Sequence, residues 1–346
     1  MFASHRDACI LGYYASELTA ELDRRYKANG LDDAVIAYRA LGKSNYDFAA
    51  SAMAFARSKS PCRVMCFDIT GFFDNLDHGL LKAQLRDIVG KPNLSDDWFA
   101  VLKAVTRYRH IQRSALEAEP LFADRLSGGP QTPIATMAEV KAAGITVRAN
   151  PHAFGIPQGT PISAVLANLY MWSFDMAMKR ACDQVGALYQ RYSDDILVIC
   201  PPDHELALEN LLKSEIAKLK LEIKDEKTEK ALFDAADPQT FQYLGFNVSP
   251  HGAVIRPGSL GRQWRKARRA IRRTEQTGLR AISEGRATIV YTKKLRRRFS
   301  PVGLRNFSSY ARRAADSLDS KTILRQVRRL ERMVDANIKR MRGKTP

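Results

Sequence analysis

The chain of 346 residues is 45% hydrophobic and 27% charged, proportions that exclude a disordered or fibrous protein. No apolar run nears the ~18 residues of a membrane span, and Met1 to Asp7 lacks the charged start and apolar stretch of a secretion signal. A cytoplasmic protein without a membrane partner is therefore expected. The formal net charge of +18 is unevenly placed: residues 251–346 hold 27 Lys and Arg against 6 Asp and Glu, whereas residues 1–250 hold 28 against 31. That asymmetry points to a polyanion held by the C-terminal segment.

Residues 1–60 read as mostly helical, with Ala-rich amphipathic stretches at 15–26 and 47–57. Between them Arg39 and Lys43 flank Gly42, a pattern that serves either a solvated loop or a clamp on a triphosphate. An apolar strand, Val64 to Phe67, then delivers Asp68 at its end, and Gly71 breaks it before a helix from about Asp77 to Val89. Asp74 and Asp77 read as turn or cap residues, with Asp77 the N-cap. Asp68 lies between Phe67 and Ile69, so its charge sits close to a core and needs a partner. Cys62 and Cys66 lack a second Cys or His pair nearby; all five cysteines read as free thiols in a reducing compartment, not as a zinc site.

A helix at 97–108 leads to a basic cluster of Arg107, Arg109, His110 and Arg113, followed by a Gly/Pro loop at 128–133. From Phe154 a second Gly/Pro turn becomes a long apolar helix, with Thr160 as its cap and Pro161 in its first turn. Leu188 to Cys200 reads as a hairpin whose tight turn holds Ser193, Asp194 and Asp195. Adjacent carboxylates repel unless cations neutralise them, and magnesium, which takes hard oxygen ligands, suits such a pair. A helix at 205–218, a strand at 219–223, a loop bearing Lys227, a strand at 241–248 turning at Gly245, and a hairpin at Gly252 into Ala253 to Ile255 complete the series. From Gly261 onward, Arg-rich helices carry Trp264, Tyr291, Phe299, Phe307 and Tyr310 among an apolar spacing that marks a small core.

The order of these features resembles the palm of reverse transcriptases from about Ile36 to Val248. Phe67-Asp-Ile-Thr-Gly-Phe-Phe-Asp-Asn-Leu-Asp-His is similar to the family's motif A, Gly155-Ile-Pro-Gln-Gly-Thr-Pro-Ile-Ser-Ala to motif B, and Tyr192-Ser-Asp-Asp to motif C. Lys227-Thr resembles motif D, and Tyr243-Leu-Gly-Phe resembles motif E, the primer grip. The resemblance implies an α+β right-hand polymerase with fingers at 1–65 and 84–150, an RRM-like antiparallel palm at 66–83 and 151–250, and a basic helical thumb at 251–346. It implies two Mg2+ ions, with Mn2+ an alternative, held by Asp68, Asp194, Asp195 and the Ile69 carbonyl. Lys227 would assist the leaving group. Arg39, Lys43, Gln158 and Gly159 would bind dNTPs, and Phe73 would act as the gate against a ribose 2′-hydroxyl. Tyr243, Leu244 and Gly245 would form the primer grip. Arg262, Arg265, Lys266, Arg268, Arg269, Arg296, Arg297 and Arg298 would hold RNA.

The block at residues 37–49 resembles the defense-associated reverse transcriptases of bacteria, particularly the small second class, which copy a dedicated noncoding RNA into cDNA in antiviral immunity. Retron enzymes are the next resemblance. Two rivals stay open at this point: an RNA-binding protein with a catalytically silent palm, and an RNA-dependent RNA polymerase, which Phe73 disfavours.

Overall fold

The computed structural model describes residues 4–127 and 134–343, so the Gly/Pro loop expected at 128–133 lies outside the described residues. In chain order the elements are α1 (His5–Ala28), α2 (Asn45–Ser58), β1 (Cys62–Asp68), α3 (His78–Ile88), α4 (Asp96–Thr106), β2 (Arg109–His110), α5 (Arg113–Glu117), α6 (Pro120–Ser127), α7 (Met137–Ala142), β3 (Arg148–Ala149), α8 (Ser163–Tyr170) and α9 (Trp172–Gln184). There follow β4 (Leu188–Tyr192), β5 (Asp195–Cys200), α10 (Glu205–Lys218), β6 (Glu229–Phe233), β7 (Phe241–Tyr243), β8 (Phe246–Ser249), β9 (Gly252–Ile255), α11 (Pro257–Ser283), α12 (Lys293–Phe299), α13 (Phe307–Ser317) and α14 (Lys321–Arg342). They fall into two compact units, the first of residues 1–39, 69–177 and 212–223 and the second of residues 40–68, 178–211 and 224–346.

In the first unit, Leu11, Leu18, Leu22 and Tyr26 bury one stripe of α1, the helical spacing that makes it amphipathic. Helix α8 is buried along almost its whole length. Two buried hydrogen bonds tie it to the start of the chain: the Tyr26 hydroxyl donates to the Asn168 carbonyl at 3.2 Å, and Asn168 Nδ2 donates to the Ala37 carbonyl at 3.0 Å. Asp77 caps α3 as expected, accepting from the Leu80 amide at 2.9 Å. Two expectations are corrected here. The helix after the Gly/Pro turn begins at Ser163, not at Pro161, because the Ser163 hydroxyl turns back to the Pro157 carbonyl at 2.6 Å and Thr160 pairs with that hydroxyl instead of capping. Residues 219–223 do not form a strand: Lys220 takes a φ of 54°, and only Ile223 bridges, to Ile69.

The second unit is built on an antiparallel sheet in the order β4-β5-β1-β6. Val64, Met65 and Phe67 of β1 and Ile196 to Cys200 of β5 are all buried, as continuous apolar central strands must be. The edge strand β6, which the sequence pattern does not announce, is anchored by Lys230 to Glu209 at 2.6 Å, and Arg63 of β1 pairs with Glu205 at 2.9 Å. A three-stranded meander, β7-β8-β9, leads into the four C-terminal helices. Their core joins Ala267 and Ile271 of α11, Leu295 and Phe299 of α12, and Leu330, Val334 and Ile338 of α14. A buried carboxylate, Glu331, fastens α14 to α13 through Arg312 at 2.6 Å and through the Ser308 hydroxyl. A buried charge is tolerated only when so partnered. Among the described residues no helix is long and apolar enough to cross a membrane.

Candidate active site

Strand β1 carries an apolar run that ends at Asp68, and β5 begins at Asp195. Antiparallel register places these two residues opposite one another. The hairpin turn is shorter than the sequence implies: Tyr192 pairs with Asp195, leaving Ser193 and Asp194 as its two residues. Ser193 adopts a φ of 63°, the left-handed region that costs a non-glycine residue roughly 1–2 kcal/mol. The guanidinium of Arg191, which is 0% exposed, donates to the Ser193 carbonyl at 3.0 Å. Sequence reasoning passed over Arg191, because a lone arginine in a strand reads as surface; its burial under the turn makes it a support of the carboxylate pair.

Asp68, Asp194 and Asp195 thus lie at one end of the sheet, and the crowding has an electrostatic signature. The Asp195 residue keeps solvent exposure, yet removal of water from its carboxyl, followed by repulsion from Asp194 and Asp68, pushes its pKa up to about 6. Lys227 and Arg256 oppose the rise. Lys227 Nζ donates to Asp68 Oδ1 at 2.9 Å, and that bond raises the lysine above its ordinary value. The Asp68 backbone is held as well, its carbonyl accepting from the Lys224 amide at 2.8 Å. The chain therefore supplies a cation of its own where clustered carboxylates would otherwise repel.

Among the described residues, no three His, Cys, Asp or Glu side chains converge as a ready-made metal cage. The donor chemistry nevertheless suits a hard divalent cation: three carboxylates lie at one sheet end, and loss of water together with repulsion from Asp194 and Asp68 disfavours the ionised form of Asp195. This yields a pH prediction. The folded value of Asp195 lies above the unfolded one, so the folded chain takes up the extra proton between about 4 and 6. Metal-free stability should then fall as pH rises through that window, and Mg2+ should restore it. Melting temperatures in chelator and in Mg2+ from pH 4.5 to 8 test this; identical pH profiles for the wild type and Asp195→Asn would refute it.

The first unit holds a separate group of expected site residues. Phe73 is half-buried, edge-on to Phe72 with ring centroids 5.4 Å apart. Its carbonyl accepts from the Ile156 amide at 2.8 Å, and the Gly155 amide donates to the Leu76 carbonyl at 2.9 Å. The two motifs flanking Phe73 and Gln158 are thereby joined by backbone. Gly155 is required there: its φ is 86°, and a Cβ would stand 2.8 Å from the Asp74 carbonyl oxygen. Gln158 and Gly159 are exposed in the turn that follows, with Gly159 at a φ of 100°.

Two other expectations change. The Arg39 side chain, 4% exposed, is no phosphate clamp: Nε donates to Asp23 at 2.5 Å, Nη2 to Asp32 at 2.6 Å, and Nη1 to the Asp32 and Val35 carbonyls, while the guanidinium lies 4.7 Å from the Tyr26 ring centre. Its donors are spent inside the first unit. Lys43 lies in the second unit, its ammonium 5.7 Å from the Phe48 ring centre. Tyr243 is buried, its hydroxyl donating to Gln190 at 3.1 Å, so its side chain has no surface for a primer. Leu244, half-buried at a φ of 47°, and Gly245, exposed at 91°, form the turn, and the Gly245 carbonyl accepts from the Arg256 amide at 3.0 Å.

No curated protein matches the sequence at a significant level. Among solved structures the chain is similar to apo telomerase from Candida tropicalis, with a TM-score of 0.51 and 13% identity over 96% of this chain and 51% of that one. It is less similar to the same organism's telomerase in complex with a fragment of telomeric RNA, with a TM-score of 0.48 and 14% identity over 94% and 46% of the two chains. It is less similar again to the RNA-dependent RNA polymerase of a human picobirnavirus, with a TM-score of 0.39 and 10% identity over 69% and 38%. The chain spans about half the length of the telomerase chains, and at such identities the likeness concerns the fold alone. The family model described as reverse transcriptase (RNA-dependent DNA polymerase) matches residues 26–248, a span that includes Asp68, Phe73, Asp194, Asp195 and Lys227. The chain belongs to the reverse transcriptase family.

Proposed function

We propose that the protein copies an RNA template into DNA, with Asp68, Asp194 and Asp195 holding two divalent cations, Mg2+ first among them. The observation that carries this reading is the register of β1 against β5, which pairs Asp68 with Asp195 beside the Asp194 turn. When bound, the cations supply Lewis acidity that lowers the pKa of a primer 3′-hydroxyl and neutralises the triphosphate. Lys227 then exchanges its contact with Asp68 for one with the departing pyrophosphate, delivering positive charge or a proton there. Phe73 stands against a ribose 2′-hydroxyl, while Gln158 and Gly159 line the nucleotide's path. Leu244 and Gly245 present the primer-facing turn, and Ile69 adds a carbonyl ligand. We assign fingers to 1–65 and 84–150, palm to 66–83 and 151–250, and thumb to 251–346. The arginines and lysine of α11 and α12 named above hold the RNA. The likeness of residues 37–49 to the bacterial defense-associated enzymes supports a dedicated noncoding RNA as template and a role of the cDNA in antiphage defense.

The test is to purify the protein from a bacterial host, sequence the nucleic acid that comes with it, and repeat with Asp194 and Asp195 both changed to Ala. A discrete RNA plus complementary DNA in the wild type, and RNA alone in the double variant, is the expected result. The same RNA in both, with DNA in neither and no primer extension on a synthetic template, would leave a silent RNA-binding palm.

A further inference from the structure

Three of the residues proposed to hold RNA, Lys266, Arg269 and Arg298, converge on a concavity of the basic C-terminal helices, whose ligand the proposed function does not specify. A cleft of about 730 Å³ opens between α11, α12 and the loop that joins them, within the size range of small-molecule sites. Lys266, Arg269 and Arg273 line it from α11, and Lys294 and Arg298 from α12. All five are exposed, none forms an ion pair among the described residues, and no carboxylate lines the cleft. Tyr291, 70% exposed, stands at its edge, so an aromatic face adjoins five uncompensated charges.

The platform is rigidly built. Gly278 lies mid-helix in α11, where glycine costs about 1 kcal/mol relative to alanine. A Cβ there would come within 2.6 Å of Val290, which is buried. The missing side chain lets the loop seat directly on the helix. The Arg286 amide fastens the loop's other end to the Ala281 carbonyl at 2.9 Å, and the buried Thr292 follows Tyr291. The backbone on both sides of Tyr291 is therefore anchored, by the buried Val290 before it and the buried Thr292 after it, while its ring stays exposed to a ligand.

We infer that this cleft binds an unpaired segment of single-stranded nucleic acid, with phosphates on the five cations and a base stacked on Tyr291. A duplex satisfies the cations but hides its base faces; only an unpaired strand uses both chemistries. The inference rests on the reading of the chain as a template-copying polymerase, and it adds a site separate from the carboxylates that handle the primer end.

Fluorescence anisotropy of labelled 12-nucleotide strands tests it, using one RNA strand, one DNA strand of the same sequence and a blunt RNA duplex. Tyr291→Ala is expected to weaken single-strand binding by about 5- to 150-fold, the worth of one stacked base, and to leave duplex binding within about twofold. Tyr291→Phe should bind like the wild type. The pair Arg269→Ala and Arg273→Ala should lower the single-strand salt slope by about one to two, whereas Arg328→Ala with Arg329→Ala on α14 should lower affinity less. A larger loss with the RNA strand identifies template as the occupant; a larger loss with the DNA strand identifies product. Equal losses on duplex and single strand, no loss in Tyr291→Ala, or an equal effect of the α14 pair would overturn the cleft. A wild type that shows the strand preference yet extends no primer would sink the polymerase reading and leave the cleft standing.

Discussion

Asp194→Asn is expected to lower primer extension by on the order of 10³-fold or more, while RNA binding stays within about twofold. The asparagine keeps the size of the turn residue, and the left-handed Ser193 beside it remains held by Arg191. What disappears is one of the three carboxylate charges at the end of the sheet, on which the proposed cation site rests. Asp68→Asn should behave alike for a further reason: it also weakens the hold on Lys227, whose ammonium donates to Asp68 Oδ1. Lys227→Ala should cost less, because in the proposed function its charge meets the leaving group and the carboxylates keep their own. Single-nucleotide extension on a defined RNA template with a DNA primer, beside a filter-binding measurement, gives both readouts. Retained extension in Asp194→Asn would place the chemistry elsewhere.

Phe73→Ala is expected to raise incorporation of NTPs relative to dNTPs by on the order of 10²-fold. The ring is half-buried, and Phe72 beneath it stays fully buried, so the turn keeps its anchor when Phe73 is shortened. The backbone bond from the Ile156 amide to the Phe73 carbonyl does not depend on the side chain and should hold the turn in register. Phe73→Val provides a bulkier second variant, expected to fall between wild type and alanine. An unchanged preference in both, with dNTP incorporation intact, would remove Phe73 from sugar discrimination. Comparable NTP and dNTP use by the wild type would revive the RNA polymerase reading.

Elements governed by local chemistry were legible in the sequence. The Asp77 cap, the break at Gly71, the apolar runs of β1 and β5 and the Tyr192-Ser-Asp-Asp hairpin all follow from interactions among near neighbours. The basic C-terminal helices followed from composition and helical spacing, and their apolar positions do form the expected core. Strand β6 escaped because an edge strand with alternating polar residues lacks a strong local signal, and its pairing with β1 is a long-range matter.

Charged and polar side chains were where the sequence ran out. Arg39 and Arg191 look alike on paper, yet one is enclosed by Asp23 and Asp32 and the other buried beneath a turn. Tyr243 matched a motif, but the meander turned its hydroxyl inward to Gln190. Lys227 meets Asp68 across a separation of 159 residues, a contact no local pattern encodes. The sequence by itself determined the chemistry available, three carboxylates, a lysine, a bulky aromatic at position 73 and a basic tail, because residue type alone fixes charge and size. Only the tertiary structure decided which of those groups meet, because strand register and burial are set by contacts between distant segments.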